Sequence, residues 1–204
     1  MALSEAVIVD QLARLHTTCL PHSAVGRLGA GYARSFYRFA RRSPVEIVLV
    51  EVHDDEVIAG CTVSLSPATL GKRMVLHTAL PFYALIRPFA FPWDTVLADA
   101  FGAPKLASAS PSHKDVTPEL VYIFTRPGER GAGHGRRLID KIDDQLSQRG
   151  FERYIVHTFD DPKDPAVRFY QRCGMTITGR SRPHGMWFLV LERRLNIPGE
   201  QSIE

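Results

Sequence analysis

Apolar residues Val7, Ile8, Leu12, Leu15 and Leu20 recur at mostly three- to five-residue intervals and Pro21 follows them, which predicts a helix over residues 5–20. Tyr32, Phe36 and Phe39 repeat the spacing before Ser43-Pro44, so a second helix is expected over about 30–41. Both helices present an apolar face that needs a sheet to cover. The period then changes: residues 45–52 and 57–65 are extended runs rich in β-branched side chains, and Asp54-Asp55 between them reads as the turn of a β-hairpin.

The C-terminal half repeats the alternation. Residues 119–125 (Glu-Leu-Val-Tyr-Ile-Phe-Thr) read as a strand, a Gly-rich loop follows, and Leu138, Ile139, Ile142 and Leu146 mark a helix over 136–149 that Gly150 closes. A strand over 153–159, a short helix over 165–172 and strands over 175–179 and 186–195 complete the pattern. Residues 67–115 break it, with Pro81, Pro88, Pro92, Pro104 and Pro111 set among Phe82, Tyr83, Leu85, Phe89, Phe91 and Trp93. Short helices and turns are expected there.

At 204 residues the chain suits one domain, spanning residues 1–204 with the insert at about 67–115. A formal charge of +3 is spread among acidic residues, so no nucleic-acid partner is expected. The local excess at Arg130, Arg136 and Arg137 would favour a polyanionic ligand instead. Cys19, Cys61 and Cys173 form no CxxC pair or metal-spaced cluster, and His77, His113 and His157 are dispersed, so neither a disulfide framework nor a metal is expected. No export signal and no stretch long enough to span a bilayer is evident, so a cytoplasmic protein is expected.

The informative segment is Arg130-Gly131-Ala132-Gly133-His134-Gly135, between a strand and an amphipathic helix. Glycines allow a sharp turn and close approach of the backbone to a ligand, while a helix N-terminus offers unpaired N–H groups and partial positive charge, a combination that binds phosphate. No Lys-Ser or Lys-Thr follows, as a Walker loop requires, and the position does not suit a dinucleotide fold. A plain strand-to-helix turn is the alternative.

The segment resembles the Arg/Gln-x-x-Gly-x-Gly/Ala signature of GNAT acyltransferases, with Pro127 where that family often has proline. Ala166 to Met175 (Ala-Val-Arg-Phe-Tyr-Gln-Arg-Cys-Gly-Met) resembles its Ala-x-x-Phe-Tyr-x-x-x-Gly-Phe helix, with Met175 replacing the usual Phe. The resemblance is tightest over residues 119–195. It implies an α/β (α+β) GNAT fold, with a central mixed, mostly antiparallel β-sheet flanked by helices and a helical or irregular insert before the central strand.

It also implies acetyl-CoA as cosubstrate, with the loop N–H groups of Gly131, Ala132, Gly133, His134, Gly135 and Arg136 around the pyrophosphate, Arg130 adding charge, and Phe124 and Thr125 of the central strand beside the cofactor. His134 itself is expected to be a solvent-facing spacer. Lys163 stands where the family often has a cofactor-contacting Asn, and the family's first strand is not evident before residue 5.

Transfer of an acyl group from a thioester to an amine requires a neutral nucleophile, a polarised carbonyl and a proton for the departing thiolate. The resemblance places Tyr170 as general acid; core packing is its other reading. It places Glu119, counted back along the central strand, as general base; a solvated strand-edge residue is its other reading. Strict alternation along that strand puts Tyr122 and Phe124 on the face opposite Glu119. Cys173 is expected to be a small core residue, not a nucleophile.

The expected activity is acetyl transfer to a primary amine of a small molecule such as an amino sugar, by direct attack. A protein or peptide N-acetyltransferase and a non-catalytic acyl-CoA-binding module are the alternatives. The insert is read as a substrate lid, extra core or a homodimer contact.

Overall fold

The computed structural model of the chain describes residues 3–78, 82, 116–161, 164–182 and 187–196. Most of the insert, including residues 83–115, and Lys163 lie outside them. Helix α1 (Glu5–Cys19) starts at Ser4, whose hydroxyl accepts from the Val7 N–H, and buries Val9, Leu12, Ala13, Leu15 and His16. Helix α3 (Gly29–Ala40) packs along it through Tyr32, Ala33, Phe36, Tyr37 and Ala40. Between them lies a single turn, α2 (Ala24–Arg27), capped by Ser23. Four residues are too few to show a helical period, which is why the sequence pattern misses it.

The hairpin pairs β1 (Glu46–His53) with β2 (Glu56–Ser64). Its turn holds Asp54 at φ 47° and Asp55 at φ 59°, the left-handed pair that a two-residue hairpin connection favours. After a 3₁₀ turn at Pro67–Thr69, helix α4 (Leu70–His77) is tied back to β1: Arg73 is ion-paired with the fully buried carboxylate of Glu46.

Strand β3 (Glu119–Thr125) follows the insert, then helix α5 (His134–Ser147), β4 (Arg153–Phe159), helix α6 (Pro165–Arg172), β5 (Thr176–Ser181) and β6 (Phe188–Arg194). The six strands run in the order β1-β2-β3-β4-β6-β5, and β3 and β4 form the one parallel pair among them. Among the described residues no strand precedes α1. The result is a mixed, mostly antiparallel sheet flanked by helices, as the sequence led one to expect.

Two apolar clusters cover the sheet's faces. One joins α1 and α3 to Val57 and Phe124; the other joins Leu138, Ile139, Ile142 and Leu146 of α5, and Val167 and Tyr170 of α6, to Leu120, Tyr154, Val156 and Leu191. Strand β3 contributes to both, but not by strict alternation. Its register against β2 slips so that Tyr122 faces Thr62 and Leu120 faces Val63, leaving Val121 as an extra residue. This bulge puts Leu120 and Ile123 on the α5 side and Tyr122 and Phe124 on the α1 side. Glu119, adjacent to Leu120, therefore shares the α1 side with Tyr122 and Phe124, which corrects the expectation from strict alternation.

Candidate active site

The parallel strands β3 and β4 pair only at Glu119–Ile155 and Leu120–Val156. Beyond Leu120, β3 stays bonded to β2 as far as Thr125, while β4 stays bonded to β6 as far as Phe159. The two strands thus part company towards their C-terminal ends, and the sheet opens into a wedge between them.

The Gly-rich loop lies directly beyond the end of β3. After a 3₁₀ turn at Pro127–Glu129, Arg130 is extended, Gly131 has φ 89° and Gly133 has φ 85°. Gly133 is the N-cap of α5 and offers no side chain, so no side-chain hydrogen bond closes the helix start. The first intrahelical bond runs from Arg137 N–H to Gly133 O at 3.0 Å, leaving the N–H groups of His134, Gly135 and Arg136 outside the helical ladder. Their partial positive charge is not offset by an acidic residue in the first turn. This geometry suits an anionic group such as a pyrophosphate.

Gly135 is closely packed for a different reason: a Cβ there would meet two ring carbons of Phe169 at 3.0 Å, so that ring would have to give way. The phenylalanine of one motif therefore packs on the glycine of the other.

Positive φ at Gly133 leads to a mutational expectation. An alanine forced into this region costs about 1–2 kcal/mol, so the free loop of Gly133→Ala relaxes away from it and ligand binding must restore it. Affinity for acetyl-CoA, the cosubstrate that the resemblance implies, should fall about tenfold, measured by calorimetry; unchanged affinity would show that the turn plays no part in binding.

Charges around the loop are mostly held in place. Arg137 bonds to Glu51 at 3.2 Å and to Ala132 O at 3.2 Å, and Lys141 reaches the other Glu51 oxygen at 2.5 Å. Burial opposes charge on Glu51, but the hydrogen bonds from Lys141 and Arg137 outweigh it and hold its carboxyl below the ordinary value. His134 is not the solvent-facing spacer expected. It is buried, with Nδ1 2.6 Å from Arg137 and Nε2 3.6 Å from Glu129. The first turn of α5 carries it inward, so its backbone N–H is what faces the loop's concavity. Arg136 bonds to Asp140 and to Arg172 O, linking α5 to α6. Among the described residues no carboxylate forms an ion pair with Arg130, whose Nε lies 3.5 Å from Thr125 O.

Phe124 cannot offer its side chain to a cofactor. It is buried against His16, ring centroids 5.3 Å apart, and against Gly60, on the α1 side. Thr125 is half-buried at the loop's edge, its carbonyl accepting from Cys19 Sγ at 3.4 Å. Lys163 lies outside the described residues.

Tyr170 sits on α6 in the cluster that includes Leu120 and Val156, and burial raises its phenol well above the ordinary tyrosine value. Cys173 is buried and burial raises its thiol too, consistent with an unreactive core position.

Glu119 is half-buried and not isolated. Its Oε1 lies 3.0 Å from Nδ1 of His157 on β4, and both side chains are partly buried. The sequence pattern gave no reason to join these residues, 38 positions apart. Only the parallel pairing at Glu119–Ile155 brings them together. Among the described residues no group of three or more His, Cys, Asp or Glu side chains is placed to hold a metal ion, and no helix is long and apolar enough to cross a membrane.

Residues 93–175 match the model of the Acetyltransferase (GNAT) family. No curated protein sequence matches the chain. Among solved structures, an aminoglycoside 6'-N-acetyltransferase complexed with coenzyme A superposes with a TM-score of 0.60 at 12% identity, over 96% of this chain and 94% of that one. The ribosomal-protein-S18-alanine N-acetyltransferase of Escherichia coli gives 0.56 at 11% identity, over 100% and 97%. A GNAT-family acetyltransferase of Streptococcus pneumoniae gives 0.57 at 12% identity, over 96% and 98%. At such identities these likenesses speak for the fold, and the family match joins the Gly-rich loop and the Phe169-Tyr170 helix in one pattern. Residues 93–175 thus carry the pattern of the Acetyltransferase (GNAT) family, on a fold that solved acetyltransferases share.

Proposed function

We propose that the protein transfers the acetyl group of acetyl-CoA to a primary amine of a small molecule, by direct attack of the amine on the thioester. The observation that carries this reading is the wedge between β3 and β4, which has the uncapped N-terminus of α5 at its open end and Glu119 at its closed end. A pyrophosphate held by the N–H groups from Gly131 to Arg136, with Arg130 beside it, lets the rest of the cofactor run into the wedge towards Glu119. Tyr170 serves as the acid that protonates the departing thiolate, and the Glu119 end of the wedge receives the proton released by the amine. The main chain of Phe124 and Thr125 borders the cofactor.

A compact acceptor is favoured by the apolar, aromatic-rich insert that precedes β3 in the sequence. The structural neighbours include enzymes named for an aminoglycoside amine and for a protein's alanine, so the acceptor has to be measured. Three free cysteines fit a reducing cytoplasm.

The test is calorimetric binding of acetyl-CoA, free CoA and longer acyl-CoAs, followed by thiol release with a hexosamine, an aminoglycoside, a polyamine and a peptide with a free N-terminus. Thiol release with one of the first three supports the proposal. Release with the peptide alone makes this a protein acetyltransferase, binding without any release makes it a binding module, and absence of binding refutes the reading as a whole.

A further inference from the structure

The Glu119–His157 contact sets a second group able to take a proton beside the carboxylate. Val156 is the last residue of β4 paired with β3, so His157 is the first residue past the point where the wedge opens. It lies opposite Val190 of β6 and projects to the side away from Tyr154 and Val156, the side occupied by Glu119. Its Nδ1 lies 3.0 Å from Glu119 Oε1. A carboxylate oxygen can only accept, so the proton of a neutral imidazole sits on Nδ1 and the lone pair is on Nε2. Among the described residues Nε2 makes no hydrogen bond, and the side chain keeps 30% exposure, so that lone pair is open at the apex of the wedge.

We propose that Nε2 of His157 accepts the proton of the acceptor amine and that Glu119 is a positioning residue, which fixes the tautomer of the ring and stabilises the imidazolium. This rests on the acetyltransferase reading and assigns the base within it. The amine nitrogen bonds to the thioester carbonyl carbon, its proton passes to Nε2, and the C–S electron pair leaves with sulfur. Sulfur takes the hydroxyl proton of Tyr170, and solvent carries the proton from the imidazolium back to the phenolate, giving amide and free CoA. A carboxylate orienting one ring nitrogen so that the other works as a base is a general solution to this problem. On the neighbouring strand β6, Glu192 stands opposite Ile155, two residues before His157, and it is already paired with Arg153 and Arg194.

The assignment separates the two residues experimentally. His157→Gln should lower kcat/KM for the best amine of the panel by about 10²-fold or more, with acetyl-CoA affinity unchanged. Glu119→Gln should lose only about tenfold, because the ring keeps its own lone pair and loses the carboxylate that orients it. Nitrogen-15 spectra of the acceptor-free protein should show neutral His157 protonated on Nδ1, and Glu119→Gln should weaken that preference. The proposal is overturned if His157→Gln keeps wild-type kcat/KM, if Glu119→Gln loses more than His157→Gln, or if the ring carries its proton on Nε2. The spectra need neither cofactor nor turnover, so a failure of the acetyltransferase reading remains distinguishable from a failure of this one.

Discussion

Tyr170→Phe is expected to lower kcat by about 10²–10³-fold, while acetyl-CoA affinity and thermal stability stay close to wild type. The two readings of Tyr170, acid or core filler, differ only in what the hydroxyl does. Its ring packs in the cluster formed by α5, α6 and the sheet, with the Phe169 ring 5.2 Å away, and a phenylalanine keeps all of that. Among the described residues the hydroxyl donates no hydrogen bond that the substitution would break. If packing were its whole role, kcat would not change. Burial holds the phenol protonated well above the ordinary tyrosine value, so at neutral pH it carries the proton a thiolate needs. The wild-type kcat profile should therefore show no alkaline fall attributable to this group below about pH 10. Steady-state kinetics with calorimetry on the same preparations decide the matter; an unchanged kcat would leave Tyr170 as core.

The two motifs behind this prediction were legible because each is local. Strand β3, strand β4 and helix α6 occupy the residues that their periodicity predicts, since strand alternation and helical spacing act over a few neighbours. Features that depend on register were not legible. The extra residue at Val121 is a property of the pairing between β2 and β3, and it reverses which side Glu119 shares. The contact with His157 depends on the parallel register of two strands joined through a loop and a helix, and nothing along either strand encodes that register. His134 was misjudged because a glycine-rich segment reads as exposed loop, whereas the helix begins at that residue and turns its ring towards Glu51 and Glu129.

These misreadings have a common physical origin. Composition and periodicity report how a segment meets its own neighbours, while a catalytic pair is made where two segments meet each other. The Gly135–Phe169 contact shows the same thing from the favourable side. Both residues were singled out separately, as parts of two motifs, and the structure shows that the second motif's ring sets the size limit of the first motif's glycine.

The layer that backs β3 carries a second buried histidine, and acid should expose it. His16 is fully buried, its ring edge-on to Tyr122 at 4.7 Å and to Phe124 at 5.3 Å. Ser23 Oγ lies 2.9 Å from Leu20 O, which can only accept, so the Ser23 hydroxyl proton points there. His16 Nε2–H then donates to Ser23 Oγ at 2.8 Å, and Nδ1 accepts from the Tyr37 hydroxyl at 2.6 Å. The neutral ring is fully satisfied, and a second proton would have to enter an apolar site and displace the Tyr37 donor.

Burial lowers the His16 pKa to about 4, against an ordinary value of 6.5. With the folded value depressed, the unfolded chain binds the proton first as pH falls. The stabilisation is complete above pH 6.5 and is lost between there and about pH 4, by about 3 kcal/mol at 1.36 kcal/mol per unit. The lowered carboxylates Glu5, Asp10 and Glu51 lose their contributions at lower pH, as the medium falls through their folded values. Urea unfolding at pH 7 and pH 4 should therefore show a marked fall in midpoint for the wild type and a much flatter response for His16→Gln. Equal slopes in the two proteins would place the acid sensitivity elsewhere. The expected result makes the His16 site, between α1, α3 and β3, a main source of the protein's acid sensitivity, on the side of the sheet that also carries Glu119 and His157.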